Sequence, residues 1–91
     1  MSGKAVSIEV AGRVQGVFFR ASTKEVCLRL GLVGWVKNLP SGNVLIHAQG
    51  PQVQLDQLVS WCHEGPPMSN VASVTVKYVD EVPHDGFEIR R

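Results

Sequence analysis

The chain of 91 residues carries nine lysines and arginines against eight aspartates and glutamates, a net charge of +1. That length makes residues 1–91 a single domain, able to bury about 60 per cent of its unfolded surface without disulfides or metals. A balance so even excludes the long-range field that recruits nucleic acid or anionic lipid, so an anion site has to be local.

The opening MSGKAVSIEV holds no apolar stretch long enough for a signal peptide, and Ser2 stands where N-myristoylation needs glycine. A cytoplasmic protein with no membrane partner is the expectation. Val6, Ile8 and Val10 alternate with Ser7 and Glu9, the period-two pattern of a strand with one buried face. GRVQGVFFR follows at residues 12–20, with two glycines and no acidic residue. Phe19, Thr23, Val26, Cys27 and Leu30 share one helical face, and Gly31 stands where a left-handed C-cap would sit, which predicts a helix over 21–31. LVGWVKN alternates again, LPSG supplies turn residues, and NVLIHAQ resumes with Val44, Ile46 and Ala48 on one face, so a hairpin joins the second and third strands. From Pro51, Leu55, Leu58, Val59 and Cys62 form a helical stripe that Gly65, Pro66 and Pro67 terminate. Ala72, Val74, Val76 and Tyr78 alternate with Ser73, Thr75 and Lys77 as a fourth strand, and Phe87 with Ile89 suggests a short last one.

This order is the α+β ferredoxin-like two-layer sandwich, βαββαβ with a short extra C-terminal strand, two helices covering one face of an antiparallel sheet. It makes the first and second strands run the same way, with the third antiparallel between them. The GRVQGVFFR loop and the Lys37, Asn38 end of the second strand therefore converge at one sheet edge. RNA-recognition modules share this fold but present aromatics on their central strands, and NVLIHAQG has none.

A loop entering a helix leaves N–H groups without helical partners, and glycines at 12 and 16 let such amides fold round one anion. Arg20 closes the stretch with a fork that grips two phosphate oxygens and keeps its charge. The stretch has neither the Lys-Ser/Thr end of a Walker loop nor the glycine spacing of a dinucleotide fingerprint. Taken alone, it also reads as ordinary turn chemistry with a solvated arginine. Gln15 reads either as a ligand-orienting amide or as a surface residue. Asn38 offers a donor and an acceptor, which suits holding a water in line with a phosphorus atom, although asparagine is also a common strand-end residue.

The remaining chemistry-bearing residues receive no role. Cys27 and Cys62 read as small buried hydrophobes, and pairing them would need the two helices side by side. His47, His63 and His84 are scattered over a strand, a helix end and a loop. Trp35 and Trp61 are expected on the core side or at its rim, and of Phe18 and Phe19 one enters the core while the other walls the pocket against water.

VAGRVQGVFFR resembles the first signature of the acylphosphatase family, GWVKNLPSGNVLIHAQG its second, and FEIRR its closing strand. The resemblance spans essentially the whole chain. It implies the ferredoxin-like fold and hydrolysis of the carboxyl–phosphate bond of acyl phosphates with no metal and no cofactor. By motif position Arg20 resembles the family's phosphate-binding arginine and Asn38 its water-orienting asparagine, while the backbone amides of Gln15, Gly16, Val17, Phe18 and Phe19 would form the phosphate cradle. Leu39 stands where some members carry threonine, a difference that could tune rate. The implied partners are a small-molecule acyl phosphate and inorganic phosphate as product and inhibitor, and the chain is expected to act as a monomer. The rival is a non-catalytic regulatory module that keeps the anion nest without turnover. Both motifs lack Asp, Glu and His, which suits a departing carboxylate that needs no protonation and leaves the substrate phosphate to take the water's proton.

Overall fold

The computed structural model describes residues 3–90, which form β1 (Lys4–Arg13), α1 (Phe19–Leu30), β2 (Val33–Asn38), β3 (Val44–Gly50), α2 (Gln52–Glu64), β4 (Asn70–Val79) and β5 (Phe87–Ile89). Ser2, used above for the N-terminal motif, and Arg91, the last residue of FEIRR, lie outside the described residues. No helix among those described is long and apolar enough to cross a membrane.

The five strands form one sheet in the order β4-β1-β3-β2-β5. β1 pairs antiparallel with β3, Val6 opposite Ala48 and Ile8 opposite Ile46, and β2 pairs antiparallel with the other side of β3. β1 and β2 thus run the same way across β3, as the connectivity requires. β5 adds to the free edge of β2 in parallel, Val36 beside Ile89, and makes the sheet mixed.

The alternating residues of the three central strands meet the helices as the periodicity predicts. Val6, Ile8, Val10, Val36, Val44, Ile46 and Ala48 are buried against Phe19, Val26 and Cys27 of α1 and Leu55, Leu58 and Cys62 of α2. Each larger side chain so covered contributes on the order of 2 kcal/mol over its exposed state. Buried Thr23 is satisfied locally, its hydroxyl donating to the Phe19 carbonyl at 2.8 Å. Gly31 ends α1 at φ 74, its N–H and that of the next residue turning back onto Leu28 and Cys27. α1 begins at Phe19, two residues before the predicted start, because Phe18 already takes the capping position. Cys27 and Cys62 are free and buried. Burial pushes the Cys27 thiol up to about 12 and raises Cys62 too, with Cys27 beside it adding to the effect, so both stay neutral and unreactive.

Two placements differ from the sequence-based expectation. β4 alternates as predicted, yet it is an edge strand, and Tyr78 and Val76 on its patterned face remain exposed because α2 covers only part of it. Trp61 does sit at the core rim, 5.3 Å from the Phe19 ring. Trp35 does not: Gly34 and Val36 take the inward positions of β2, so period two turns Trp35 to the face without helices. There it stacks on His47 across the β2–β3 rung, centroids 5.7 Å apart at 14°, with the Arg90 guanidinium 4.8 Å from its ring.

That outer face is crossed by residues 80–86, which connect opposite edges of the sheet. Four strand spacings amount to about 19 Å, and eight residue steps reach about 28 Å at most, so the crossing has little slack. Val82 N–H donates to Gln49 Oε1 at 3.0 Å, His84 lies 5.0 Å from His47, and Gly34 N–H donates to the Gly86 carbonyl at 3.0 Å. Burial first, then the like charges of His84 and Arg90, hold His47 below the usual histidine range. The unfolded chain consequently binds more protons below about pH 6.5, so stability is fully present above that value and falls as pH drops toward the lowered His47 value. Urea midpoints measured between about pH 7.5 and 5.5 should decline with acidity, and His47→Gln should flatten the decline.

Candidate functional site

The loop between β1 and α1 is built by alternation between residues that enter the core and residues that face out. Val14, Val17 and Phe19 are buried, while Gly16 and Phe18 are exposed. Gly16 at φ 74 and Phe18 at φ 63 both take the left-handed conformation that bends successive amides into a concavity. Gly12 has a different task from the one its sequence position suggests. It lies at a bulge between β1 and β4 at φ 123, and a Cβ there would strike the Asn70 carbonyl oxygen and lie 2.6 Å from Ala72 N. Its freedom serves the sheet, and Gly16 alone of the two serves the loop.

α1 therefore starts in an unusual electrostatic state. Phe18 offers no side-chain cap, the first turn holds no acidic residue, and Arg20 adds a positive charge where the helix dipole is already positive. Among the described residues, no hydrogen bond uses the backbone N–H of Gln15, Gly16, Val17, Phe18 or Phe19 as donor. Open donors and a cation at one helix end favour an anion.

These groups border an open cavity of about 700 Å³ that brings Gly16, Phe18, Phe19 and Arg20 together with Asn38 on β2 and Ile89 on β5. Asn38 follows Gly34 and Val36 in period two, so it faces the helix side of the sheet at the strand end, beside the start of α1. The convergence predicted from topology is present. Arg20 Nη1 donates to the Arg90 carbonyl at 3.4 Å, and the one ion pair among the described residues joins Arg90 to Glu88. Among the described residues the lining holds no carboxylate, imidazole or thiol, and Arg20 is its only charged group.

Gln15 and Val17 are not part of the lining. Val17 is an anchor, 8 % exposed. The Gln15 side chain donates to both the Leu39 and Asn43 carbonyls at 2.9 Å, and Asn43 Nδ2 donates to Glu9 Oε2 at 2.7 Å. Its side-chain amide N–H groups are thus turned to the hairpin, tying the loop that carries Arg20 to the hairpin that follows Asn38. Sequence reasoning missed that brace, and it missed Ile89, whose place at this edge follows from the parallel pairing of β5 with β2.

Comparison with known proteins agrees with the geometry. The acylphosphatase family model matches residues 6–89. An acylphosphatase of Rubrobacter xylanophilus is 50% identical over 91 residues, covering 96% of this chain and 80% of its own. Among solved structures, an acylphosphatase from Coxiella burnetii superposes with a TM-score of 0.95 at 36% identity, covering 98% of this chain and 94% of that one. One from Bacillus subtilis gives 0.93, also at 36% identity, over 97% and 99% of the two chains.

Proposed function

Because the chain belongs to the acylphosphatase family, we propose that the amides from Gln15 to Phe19 and the Arg20 guanidinium hold the phosphoryl group of its substrate, and that Asn38 orients the attacking water. The activity itself is hydrolysis of acyl phosphates. The observation that carries the residue roles is that one cavity is lined by Arg20, by Asn38 and by a helix start whose donors have no protein acceptor among the described residues.

Phosphoryl transfer goes through a loose transition state with charge spread over three oxygens, so positioned donors and one fixed cation supply most of what is needed. The amide nest fixes the three oxygens, and Arg20 meets the charge that shifts toward the bridging oxygen. Asn38 accepts a hydrogen bond from the water through its carbonyl oxygen and keeps the water's lone pair aimed along the line of displacement. The leaving carboxylate has a conjugate acid with a pKa of about 4, so it departs unprotonated. Among the described residues no side chain in the lining accepts a proton at neutral pH, and the substrate phosphate serves as the acceptor for the water's proton. The site is complete within one chain, so a monomer suffices, and the two free core thiols fit a reducing, cytoplasmic place of action.

Purified protein should release orthophosphate from acetyl phosphate in the presence of EDTA, with added orthophosphate inhibiting competitively. Loss of turnover on chelation, restored by a divalent cation, would refute the metal-free reading. Well-folded protein that bound phosphate without turnover would return the regulatory-module reading to consideration.

A further inference from the structure

An amide nest and an arginine recognise a phosphate and leave the acyl group unspecified, so the rest of the cavity has to set that preference. Phe18 is 81% exposed and is the one residue other than glycine with positive φ among those described. Glycine would take the same backbone without strain, so the loop's shape does not explain a phenyl ring at this position. The ring fills no core space and caps nothing. Ile89, 41% exposed, borders the same cavity from β5, and Ala21 adds a further apolar surface from the first turn of α1. Among the described residues the one charged group of the lining is Arg20, and Arg90 next door is directed to the Trp35 ring and Glu88. A volume of about 700 Å³ far exceeds a phosphate group and matches sites that enclose a small organic ligand.

Resting on the acyl phosphate reading of the site, we infer that Phe18 and Ile89 form an acyl-binding wall that selects substrates with a flat apolar group, above all an aromatic one, over small or charged acyl groups. Covering the exposed ring and the Ile89 side chain removes apolar surface from water, and a flat ligand does so with least lost freedom. A second anionic group on the acyl part would meet an apolar wall, and among the described residues the lining offers no cation besides Arg20, which the phosphate already occupies.

The test uses phenacylphosphonate and acetonylphosphonate, in which a methylene replaces the bridging oxygen of benzoyl and acetyl phosphate. Calorimetry on the intact chain should show the phenacyl compound binding roughly tenfold more tightly, a typical worth for one well-covered ring. Phe18→Ala and Ile89→Ala should each cut that ratio by about threefold or more, and Phe18→Leu should cut it less than Phe18→Ala. The ratio cancels any loss of phosphate affinity shared by both ligands, as from a disturbed loop. A ratio unchanged in the variants, or near one in the unaltered chain, overturns the wall even if absolute affinities fall. If Phe18→Ala does not fold, Ile89→Ala and Phe18→Leu decide. Since binding is read without turnover, a chain that distinguishes the phosphonates yet hydrolyses neither acyl phosphate would count against the catalytic reading and for the wall. Equal kcat/KM for benzoyl and acetyl phosphate, with equal phosphonate affinities, would do the reverse.

Discussion

Arg20→Ala is expected to lower kcat/KM for acetyl phosphate by roughly 10³-fold and to weaken inhibition by orthophosphate in parallel. Among the described residues the guanidinium is the only charge in a lining otherwise made of amides and apolar groups, so no other described lining group replaces it. Arg20→Lys restores the charge without the two-pronged geometry and should recover only part of the loss. Stability should move the other way from activity. Arg20 is a cation in the first turn of a helix, where the dipole disfavours it, so thermal unfolding of Arg20→Ala should occur at the same temperature or slightly higher. Together these results would mark the arginine as retained for the phosphate at the expense of the helix. Phosphate inhibition unaltered in Arg20→Ala would remove the residue from the binding site.

Asn38→Ala is expected to reduce kcat by roughly 10²- to 10³-fold while leaving the inhibition constant of orthophosphate unchanged, because a residue that aims the water contributes only as the reaction proceeds. Asn38→Asp gives a distinct signature. It is nearly isosteric, but its negative charge faces the phosphoryl oxygens and should weaken phosphate binding as well as turnover. Normal kcat in Asn38→Ala would assign water positioning elsewhere. Both asparagine variants sit at a strand end that the Gln15 brace and the Asn43–Glu9 hydrogen bond hold from the other side, so the hairpin should keep its register.

Most of the fold was legible because its central strands and both helices have one dry face. Val6, Ile8 and Val10, and Leu55, Leu58 and Cys62, can repeat at their spacing only if that face is covered, and each is buried. The outer strands were less legible for the same reason. On β4 the alternation of Val74, Val76 and Tyr78 looks like a core face, but α2 reaches only part of it, and no local pattern records how far a helix extends over a sheet. Trp35 misled by its size. Its side is set by the inward Gly34 and Val36, which outweigh the tendency of a large ring to seek the core. In the site, Arg20 and Asn38 could be found because topology alone brings their segments to one edge. The Gln15 brace and the Ile89 wall depend on distances across the loop and on the direction of a three-residue strand, neither of which periodicity encodes.

The strand order also governs how this molecule comes into being. The central strand β1 has no partner among its sequence neighbours: it waits for β3, and then for β4, where Ala5 meets Val79 and Arg13 meets Asn70. Such pairings have a high contact order, and the entropy of closing those loops has to be met before the contacts offset it, which makes folding slow for a chain of this size. During synthesis β1 leaves the ribosome long before β4, its second neighbour in the sheet, exists. The cavity edge is likewise joined from segments far apart in the chain, so Arg20, Asn38 and Ile89 come together only once those long-range pairings have formed.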